Sequence, residues 1–140
     1  MKISKKSRNP RKILIDKLDR IFSKYIRLRD SINGDNTCFT CGKIDKVNNL
    51  DAGHFMPRNR MATRWDERNV QPQCRMENRF HGGEQAVFGI AIDKKYGQGT
   101  SLELIAKSHT IKKYDVQELN DLINYYKNKV QEMTNGHYSL

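Results

Sequence analysis

Residues 50–57 read LDAGHFMP and are the stretch around which the rest of the fold can be placed. The sequence predicts a short strand from Leu50 to Met56, and Pro57 ends it because proline cannot donate to a strand ladder. Side chains alternate along a strand, so Asp51 and His54 lie on opposite faces. An imidazole at this place can serve as a zinc ligand, a general base or a satisfied core histidine. The residues alone leave all three roles open.

Helical patterns surround this strand on both sides. Residues 58–73 have no regular period and are predicted to form an irregular loop. A helix is predicted to begin near Cys74 and to run, with a break at Gly82-Gly83, to about Tyr96. We therefore predict the α+β class, arranged as a single domain over residues 10–140. Its parts are an N-terminal helix at 10–32, a core with a zinc knuckle at 37–97 and C-terminal helices at 100–133.

Composition favours a polyanionic partner. The 140 residues include 26 Lys+Arg against 16 Asp+Glu, a net charge of +10, with mean hydropathy −0.84. Such an excess points to nucleic acid before an anionic membrane. No apolar run approaches the roughly 20 residues of a spanning helix, and we expect neither a membrane span nor a secretory signal. Three cysteines are an odd number, which favours a reducing cytoplasm over a disulfide framework.

Basic side chains concentrate in two places. Residues 1–30 hold eleven basic and three acidic side chains, and residues 1–9 are predicted to be a basic tail that is disordered until bound. Residues 58–79 hold six arginines and no lysine. A guanidinium grips phosphate in a defined bidentate geometry, although a merely solvated basic face remains the alternative. The candidate DNA contacts are Lys5, Lys6, Arg8, Arg11, Lys12, Arg58, Arg64 and Arg68.

Cysteine spacing points to zinc. Cys38-x-x-Cys41 places two thiolates on a tight turn, and Cys74 follows about thirty residues later, where a second ligand pair is usual. Glu77 stands where the fourth cysteine would be expected. Three buried thiols without metal remain an alternative, whereas a redox CxxC lacks the surrounding βαβ pattern.

Residues after Cys74 suggest a second cation site. Asn78 and His81 are three residues apart and share a helical face, so a carboxamide oxygen and an imidazole can converge on one cation. Together with an imidazole base and clustered arginines, these are the parts that phosphodiester hydrolysis needs.

The order and spacing of these motifs resemble the phage NinG (Rap) recombination-protein family over about residues 15–105. The similar segments are LDRIFSKYIRLRD at 18–30, CFTCG at 38–42, DAGHFMPR at 51–58, TRWDERNV at 63–70, QC at 73–74 with Asn78, and the Gly pair at 82–83. The resemblance implies a small ββα-metal (HNH-like) core. It also implies a structure-selective endonuclease that acts on Holliday junctions, flaps and D-loops in phage recombination.

The resemblance also implies roles for individual residues. His54 matches the histidine that activates the attacking water, and Asn69 matches the asparagine that braces the neighbouring loop. Asn78 matches the helix-start ligand of a catalytic Mg²⁺ or Mn²⁺. Three of the four structural zinc ligands are matched by Cys38, Cys41 and Cys74.

Two positions depart from the family pattern. Glu77 replaces the fourth cysteine, and a carboxylate oxygen is a legitimate zinc ligand. Gly53 stands where many HNH nucleases carry an acidic or histidine metal ligand. Asp51 is the natural substitute on the same strand face, and His81 is a second possibility.

The implied partners and setting follow from the same resemblance. We expect branched double-stranded DNA as partner, no membrane, no small-molecule organic cofactor, and a location in the cytoplasm of a bacterial host. A homodimer is expected because the apolar stripes of residues 10–31 and 115–131 exceed what a small β element can cover. The alternative is a non-catalytic zinc finger that binds nucleic acid and uses Cys38, Cys41, His54 and Cys74 as its ligands.

Overall fold

The computed structural model describes residues 9–135, so the basic tail with Lys5, Lys6 and Arg8 lies outside the described residues except for Asn9. The fold is α+β, as predicted, with two small antiparallel sheets. Asn9 caps the first helix, since its side-chain oxygen accepts from the Arg11 backbone N–H at 2.9 Å. The elements in chain order are α1 (Pro10–Leu28), β1 (Asp35–Thr37), β2 (Ile44–Lys46), β3 (Leu50–His54), β4 (Val70–Cys74), α2 (Gln85–Tyr96), α3 (Thr100–Ser108) and α4 (Val116–Asn135).

The main core forms where α1 packs on α4. Both helices carry apolar residues at helical spacing, and these stripes bury each other. Trp65 and Val70 close the core from the β side. The stripes of α1 and α4 therefore need no second chain to cover them, and the reason given for a dimer through these helices is wrong. The buried members from the two helices are Leu18, Phe22, Ile26, Leu119, Ile123 and Tyr126.

Helix α1 is shorter than predicted. It ends at Leu28, not near residue 32. Arg29 leaves the helix with an extended backbone (ψ 129°), and Asp30 then takes a positive φ of 61°. The Arg29 guanidinium donates to the Val70 carbonyl at 3.0 Å, so this turn is fixed by a tertiary contact.

Strand β4 is the element that the sequence pattern missed, because residues 58–73 read as a loop. It pairs antiparallel with β3, with Leu50 opposite Cys74 and His54 opposite Val70. All five of its residues are buried, including two glutamines. Buried amides need internal partners, and the Gln71 and Gln73 Nε2 atoms have them in the Tyr96 hydroxyl at 2.9 Å and the Gly83 carbonyl at 2.8 Å.

A hairpin of β1 and β2 carries the cysteine knuckle. The Cys38 N–H donates to the Lys43 carbonyl at 2.8 Å, and Gly42 takes a φ of 79°, which glycine adopts without a steric penalty. The Phe39 N–H donates to the Pro72 carbonyl at 2.8 Å, which joins the knuckle to β4.

The segment after β4 is broken, as predicted. One π-helical turn spans Met76–Phe80, Gly82 and Gly83 follow with positive φ, and α2 begins at Gln85. Helices α2 and α3 share a second small core that contains Phe88, Ile92 and Leu104 and also Phe55. Within residues 9–135, the helices lack the combination of length and apolar character needed to cross a membrane.

Candidate active-site cleft and thiol cluster

An open cleft of about 690 Å³ lies between α1, β3 and the turn that follows β4. Three residues singled out from the sequence line it, namely Asp51, His54 and Asn78. Asp51 and His54 come from β3, and Asn78 comes from the π-helical turn. The antiparallel pairing of β3 with β4 places the start of this turn beside Leu50, which brings Asn78 to Asp51. All three residues therefore line one cleft, and within it the Asn78 amide contacts the Asp51 carboxylate.

His54 is held as a neutral imidazole. Its Nε2 lies 3.0 Å from the Arg64 carbonyl oxygen. A carbonyl only accepts, so Nε2 carries the proton and Nδ1 is left as an acceptor. Burial lowers the pKa of His54 to about 4, and the nearby Arg58 charge acts in the same direction. The side chain is therefore in the state that a general base requires at neutral pH.

Asp51 is an ionised carboxylate with close polar neighbours. The Arg79 guanidinium donates to both of its oxygens, each at 2.9 Å, and Asn78 Nδ2 donates to Oδ2 at 3.0 Å. Burial opposes ionisation, but the hydrogen bonds from Arg79 and Asn78 outweigh it and lower the pKa of Asp51.

The Asp51 and Asn78 side chains fit a hard divalent cation. A carboxylate and a carboxamide oxygen are the ligand types that Mg²⁺ takes. The oxygen and nitrogen of an amide exchange by a simple flip, which turns the Asn78 oxygen toward the same point. In the structure Arg79 neutralises the Asp51 carboxylate. A cation bound to Asp51 would therefore take over the role of the Arg79 charge.

His81 does not line this cleft. Its Nδ1 lies 2.8 Å from Glu77 Oε2 and 3.5 Å from Glu84 Oε1, so it forms a separate group of two carboxylates and one imidazole. The possibility that His81 substitutes for the missing ligand at Gly53 is therefore not supported by its position.

Asn69 braces the loop between β3 and β4. It is fully buried, and its Oδ1 accepts from the Met56 N–H at 2.8 Å. Its Nδ2 donates to the carbonyls of Met56 at 3.0 Å and Thr63 at 3.1 Å. The loop joins two strands, whereas the sequence pattern predicts a strand followed by a helix.

The three cysteines form a thiol cluster. Their Sγ atoms all lie within 4.8 Å of one another, and the Cys41 and Cys74 sulfurs are 3.7 Å apart. Four thiolates at about 2.3 Å from a tetrahedral zinc would be separated by about 3.8 Å. Burial opposes ionisation of Cys38, yet hydrogen bonds from the Cys74, Cys41 and Thr40 backbone and the Thr40 hydroxyl lower its pKa to about 7. The cluster is therefore suited to a metal such as zinc.

Neither predicted fourth ligand belongs to this cluster. Glu77 lines the same cavity as Cys41 and Cys74. Its carboxylate lies within 4.8 Å of the His81 and Glu84 ligand atoms, and it is not part of the thiol cluster. His54 lines the other cleft and is bound to the Arg64 carbonyl. The four-ligand set of the zinc-finger alternative is consequently not assembled.

Comparison with known proteins agrees with the order of these motifs. The family model described as bacteriophage lambda NinG protein matches residues 1–136. The chain belongs to the NinG family. It is 28% identical over 139 residues to the ninG proteins of Escherichia phage 933W and Enterobacteria phage VT2-Sa, and 26% identical over 136 residues to that of Salmonella phage P22.

The NinG relatives are longer than this chain. The match covers 97% of the chain but 66% of the 933W and VT2-Sa proteins, and 95% of the chain but 64% of the P22 protein. The chain therefore spans about two thirds of the relatives' length. No solved structure matches the chain significantly.

Within residues 9–135, four of the five basic side chains proposed from the sequence as DNA contacts of this NinG-family chain have partners inside the protein. Arg64 pairs with Asp19 on α1, and Arg68 pairs with Asp66 and Glu103. Arg11 donates to the Tyr114 carbonyl at 2.9 Å, and Lys12 lies 3.6 Å from Asp16 on the same helix. Within residues 9–135, Arg58 is the member of the predicted DNA contacts that lines the cleft.

Three arginines outside the predicted set of DNA contacts also line the cleft, namely Arg27, Arg75 and Arg79. Arg75 and Arg79 belong to the arginine-only window at 58–79, and that window was a usable signal for them. The sequence contains no such signal for the position of Arg27, because its place in the cleft depends on how α1 packs across β3.

Proposed function

We propose that this chain is a metal-dependent endonuclease that cuts branched DNA, such as Holliday junctions, flaps and D-loops, in phage recombination. The observation that carries the proposal is the meeting of Asp51, neutral His54 and Asn78 in one cleft beside arginine side chains. The branched substrate rests on the resemblance to the NinG (Rap) recombination proteins. The relatives are phage proteins, which supports the cytoplasm of a bacterial host as the proposed setting.

His54 would take the proton from the attacking water. Nε2 is occupied by its hydrogen bond to the Arg64 carbonyl, so Nδ1 is the basic nitrogen. The same hydrogen bond fixes the ring orientation, and Asn69 holds the loop that supplies this carbonyl. These groups orient the base before substrate arrives, which reduces the reorganisation that the reaction needs.

Asp51 and Asn78 would hold the catalytic Mg²⁺ or Mn²⁺. When bound, such a cation offsets negative charge on the phosphate and on the leaving oxygen. The side chains of the cleft would bind and orient the DNA backbone, and Arg58 is the predicted contact that is in place for this.

The thiol cluster would hold a structural zinc. Cys38 and Cys41 belong to the knuckle of the β1–β2 hairpin, and Cys74 ends β4. Zinc bound by all three would fasten the hairpin to the strand that positions Asn78, without taking part in the chemistry. The homodimer also stays a prediction, although it would need a surface other than the α1–α4 interface.

A cleavage assay tests the nuclease proposal. Purified protein would be incubated with Mg²⁺ and labelled four-way junction, flap, single-stranded or linear duplex DNA. We expect cleavage of the branched forms, loss of cleavage in His54→Ala and Asn78→Ala, and nearly unchanged DNA binding in both variants. His109→Ala is the matched control, because His109 is exposed and lies outside the cleft.

Two results would contradict the proposal. Binding of DNA without cleavage under Mg²⁺ or Mn²⁺ would favour a non-catalytic nucleic-acid-binding protein. Full cleavage by a folded His54→Ala variant would show that the base is another group.

A further inference from the structure

Two guanidinium groups that line the cleft, the partly buried Arg27 and the exposed Arg75, donate to the same short segment of backbone. Arg27 Nη1 donates to the Val47 carbonyl at 3.3 Å, and Arg75 Nη2 donates to the Asn48 carbonyl at 3.1 Å. Val47 and Asn48 are consecutive residues of one 3₁₀ turn. Neighbouring carbonyls therefore anchor two like charges next to each other.

The electrostatics of this pair are unfavourable as it stands. Burial lowers the pKa of Arg27, and the adjacent Arg75 charge lowers it further, while Asp51 acts in the opposite direction. The Asp51 carboxylate is already bound on both oxygens by Arg79. Asp19, the other acidic residue lining the cleft, is paired with Arg64. Among the residues that line the cleft, the positive charge thus exceeds the negative charge, and an anion would relieve the excess.

We propose that Arg27 and Arg75 form a phosphate-binding site that takes a non-scissile phosphate of the DNA backbone. The inference rests on the proposed nuclease function and adds a substrate-positioning site to it. Both guanidinium groups retain N–H donors beyond those used on Val47 and Asn48. Two such groups provide the fork geometry that suits the paired oxygens of a phosphodiester. The site lies in the same cleft as Asp51 and His54, so a backbone bound there would extend toward the reacting groups.

Fluorescence anisotropy with labelled four-way junction and linear duplex DNA, without added Mg²⁺ or Mn²⁺ so that cleavage is prevented, tests the site. Arg75→Gln is the primary variant because Arg75 is exposed, so we expect its replacement to leave the fold intact. We expect about tenfold weaker binding to both DNA forms, since a charge-assisted hydrogen bond is lost. The slope of log affinity against log salt should become shallower by about 0.9, the value for one phosphate contact. Arg75→Lys should retain the slope and lose part of the affinity, because the charge stays and the fork is lost.

Arg68→Gln is the matched control. It removes the same formal charge, but Arg68 is engaged with Asp66 and Glu103 outside the cleft. We expect its affinity to stay within about twofold of the parent value and its salt slope to stay within about 0.2. Arg27→Gln is the second variant and should reproduce the Arg75→Gln effect when its thermal unfolding shows a folded protein.

The outcomes separate this inference from the nuclease proposal. Equal binding by the parent, Arg75→Gln and Arg27→Gln would overturn the phosphate site even if the parent cleaves DNA. Equal losses in Arg75→Gln and Arg68→Gln would overturn it too, because the effect would then be one of net charge. Failure of the parent to cleave, with the expected binding losses intact, would overturn the nuclease function and leave the phosphate site standing.

Discussion

Substituting Gly53 by alanine should destabilise the protein, and the structure supplies the magnitude. A Cβ atom at Gly53 would lie 2.1 Å from Gln73 Oε1 and 3.0 Å from Gln73 Cβ. Gln73 is 1% exposed, and its Nε2 donates to the Thr40 hydroxyl at 3.0 Å and to the Gly83 carbonyl at 2.8 Å. The amide would have to move by about 1 Å to restore ordinary contact, which strains the packing and weakens both hydrogen bonds. We expect the free energy of unfolding to fall by about 2–4 kcal/mol.

Urea denaturation followed by the fluorescence of Trp65 measures this effect. Trp65 is the single tryptophan and is 6% exposed, so its emission reports on the main core. Zinc concentration is held constant, because metal bound to the thiol cluster would add to the stability of the folded state. The parent, Gly53→Ala, Gln73→Ala and the double variant form a cycle.

The cycle separates a steric clash from other causes. With Gln73 truncated to alanine, the contact of the added methyl group with Oε1 is removed and the 3.0 Å contact with Cβ remains, so Gly53→Ala should then cost at least about 1 kcal/mol less than in the parent. The reasoning is refuted if Gly53→Ala is within about 0.5 kcal/mol of the parent, or if its cost is the same with and without the Gln73 side chain. A destabilised Gly53→Ala variant would also explain why glycine stands directly before His54, because a side chain at that position collides with Gln73. The carboxylate of the site is accordingly found two residues earlier, at Asp51.

Three further predictions concern the brace, the base and the thiol cluster. Asn69→Ala should lower the free energy of unfolding by about 2–4 kcal/mol, because the three hydrogen bonds of this buried side chain are lost. Urea denaturation measures the change in the free energy of unfolding, with Asn69→Asp as the comparison variant. Burial lowers the pKa of His54 to about 4, below its unfolded value, so His54 stabilises the fold above pH 6.5 and this contribution is lost as pH falls toward 4. The free energy of unfolding should fall over that window, and a flat profile, or one unchanged in His54→Gln, would contradict it. Position 77 faces the same cavity as Cys41 and Cys74, so Glu77→Cys should add a fourth thiolate and tighten zinc in competition with a chromogenic chelator. Unchanged affinity would show that a side chain at position 77 does not reach the metal.

Residue periodicity and spacing predicted the parts of the molecule that depend on local pattern. The apolar repeats of α1 and α4 follow from helical geometry, and their mutual burial is the simplest use of two such stripes. The cysteine spacing predicted a cluster, and the structure brings the three sulfurs together. Asp51, His54 and Asn78, which the resemblance to the NinG family singles out, line one cleft.

Strand β4 was beyond such reasoning for a physical reason. Its sequence VQPQC has polar residues where a buried strand normally has apolar ones. Gln71 and Gln73 are tolerated because each finds partners in distant segments, at Tyr96 and at Gly83. These hydrogen bonds depend on residues far along the chain, so the local sequence of β4 does not predict them.

The arginines show the same limit more sharply. A window of six arginines predicts phosphate contacts in general, yet Arg64 and Arg68 are used to hold the protein together. Composition cannot separate these from Arg75, because all of them lie in one arginine-rich segment. The positions of Asp19, Asp66 and Asp51 decide which guanidinium groups are already paired, namely those of Arg64, Arg68 and Arg79.

Helix α1 links the core to the reacting groups. Asp19, Ser23 and Arg27 repeat every four residues and line the cleft, while the neighbouring stripe of the same helix is buried against α4. Asp19 Oδ1 accepts from Arg64 Nε at 3.1 Å, and the Arg64 carbonyl accepts from His54 Nε2 at 3.0 Å. The orientation of the base therefore depends on α1, which is separated from β3 by more than twenty residues of sequence. Changes that loosen the α1–α4 interface should consequently disturb the cleft as well as the core, since one rigid helix forms a wall of both.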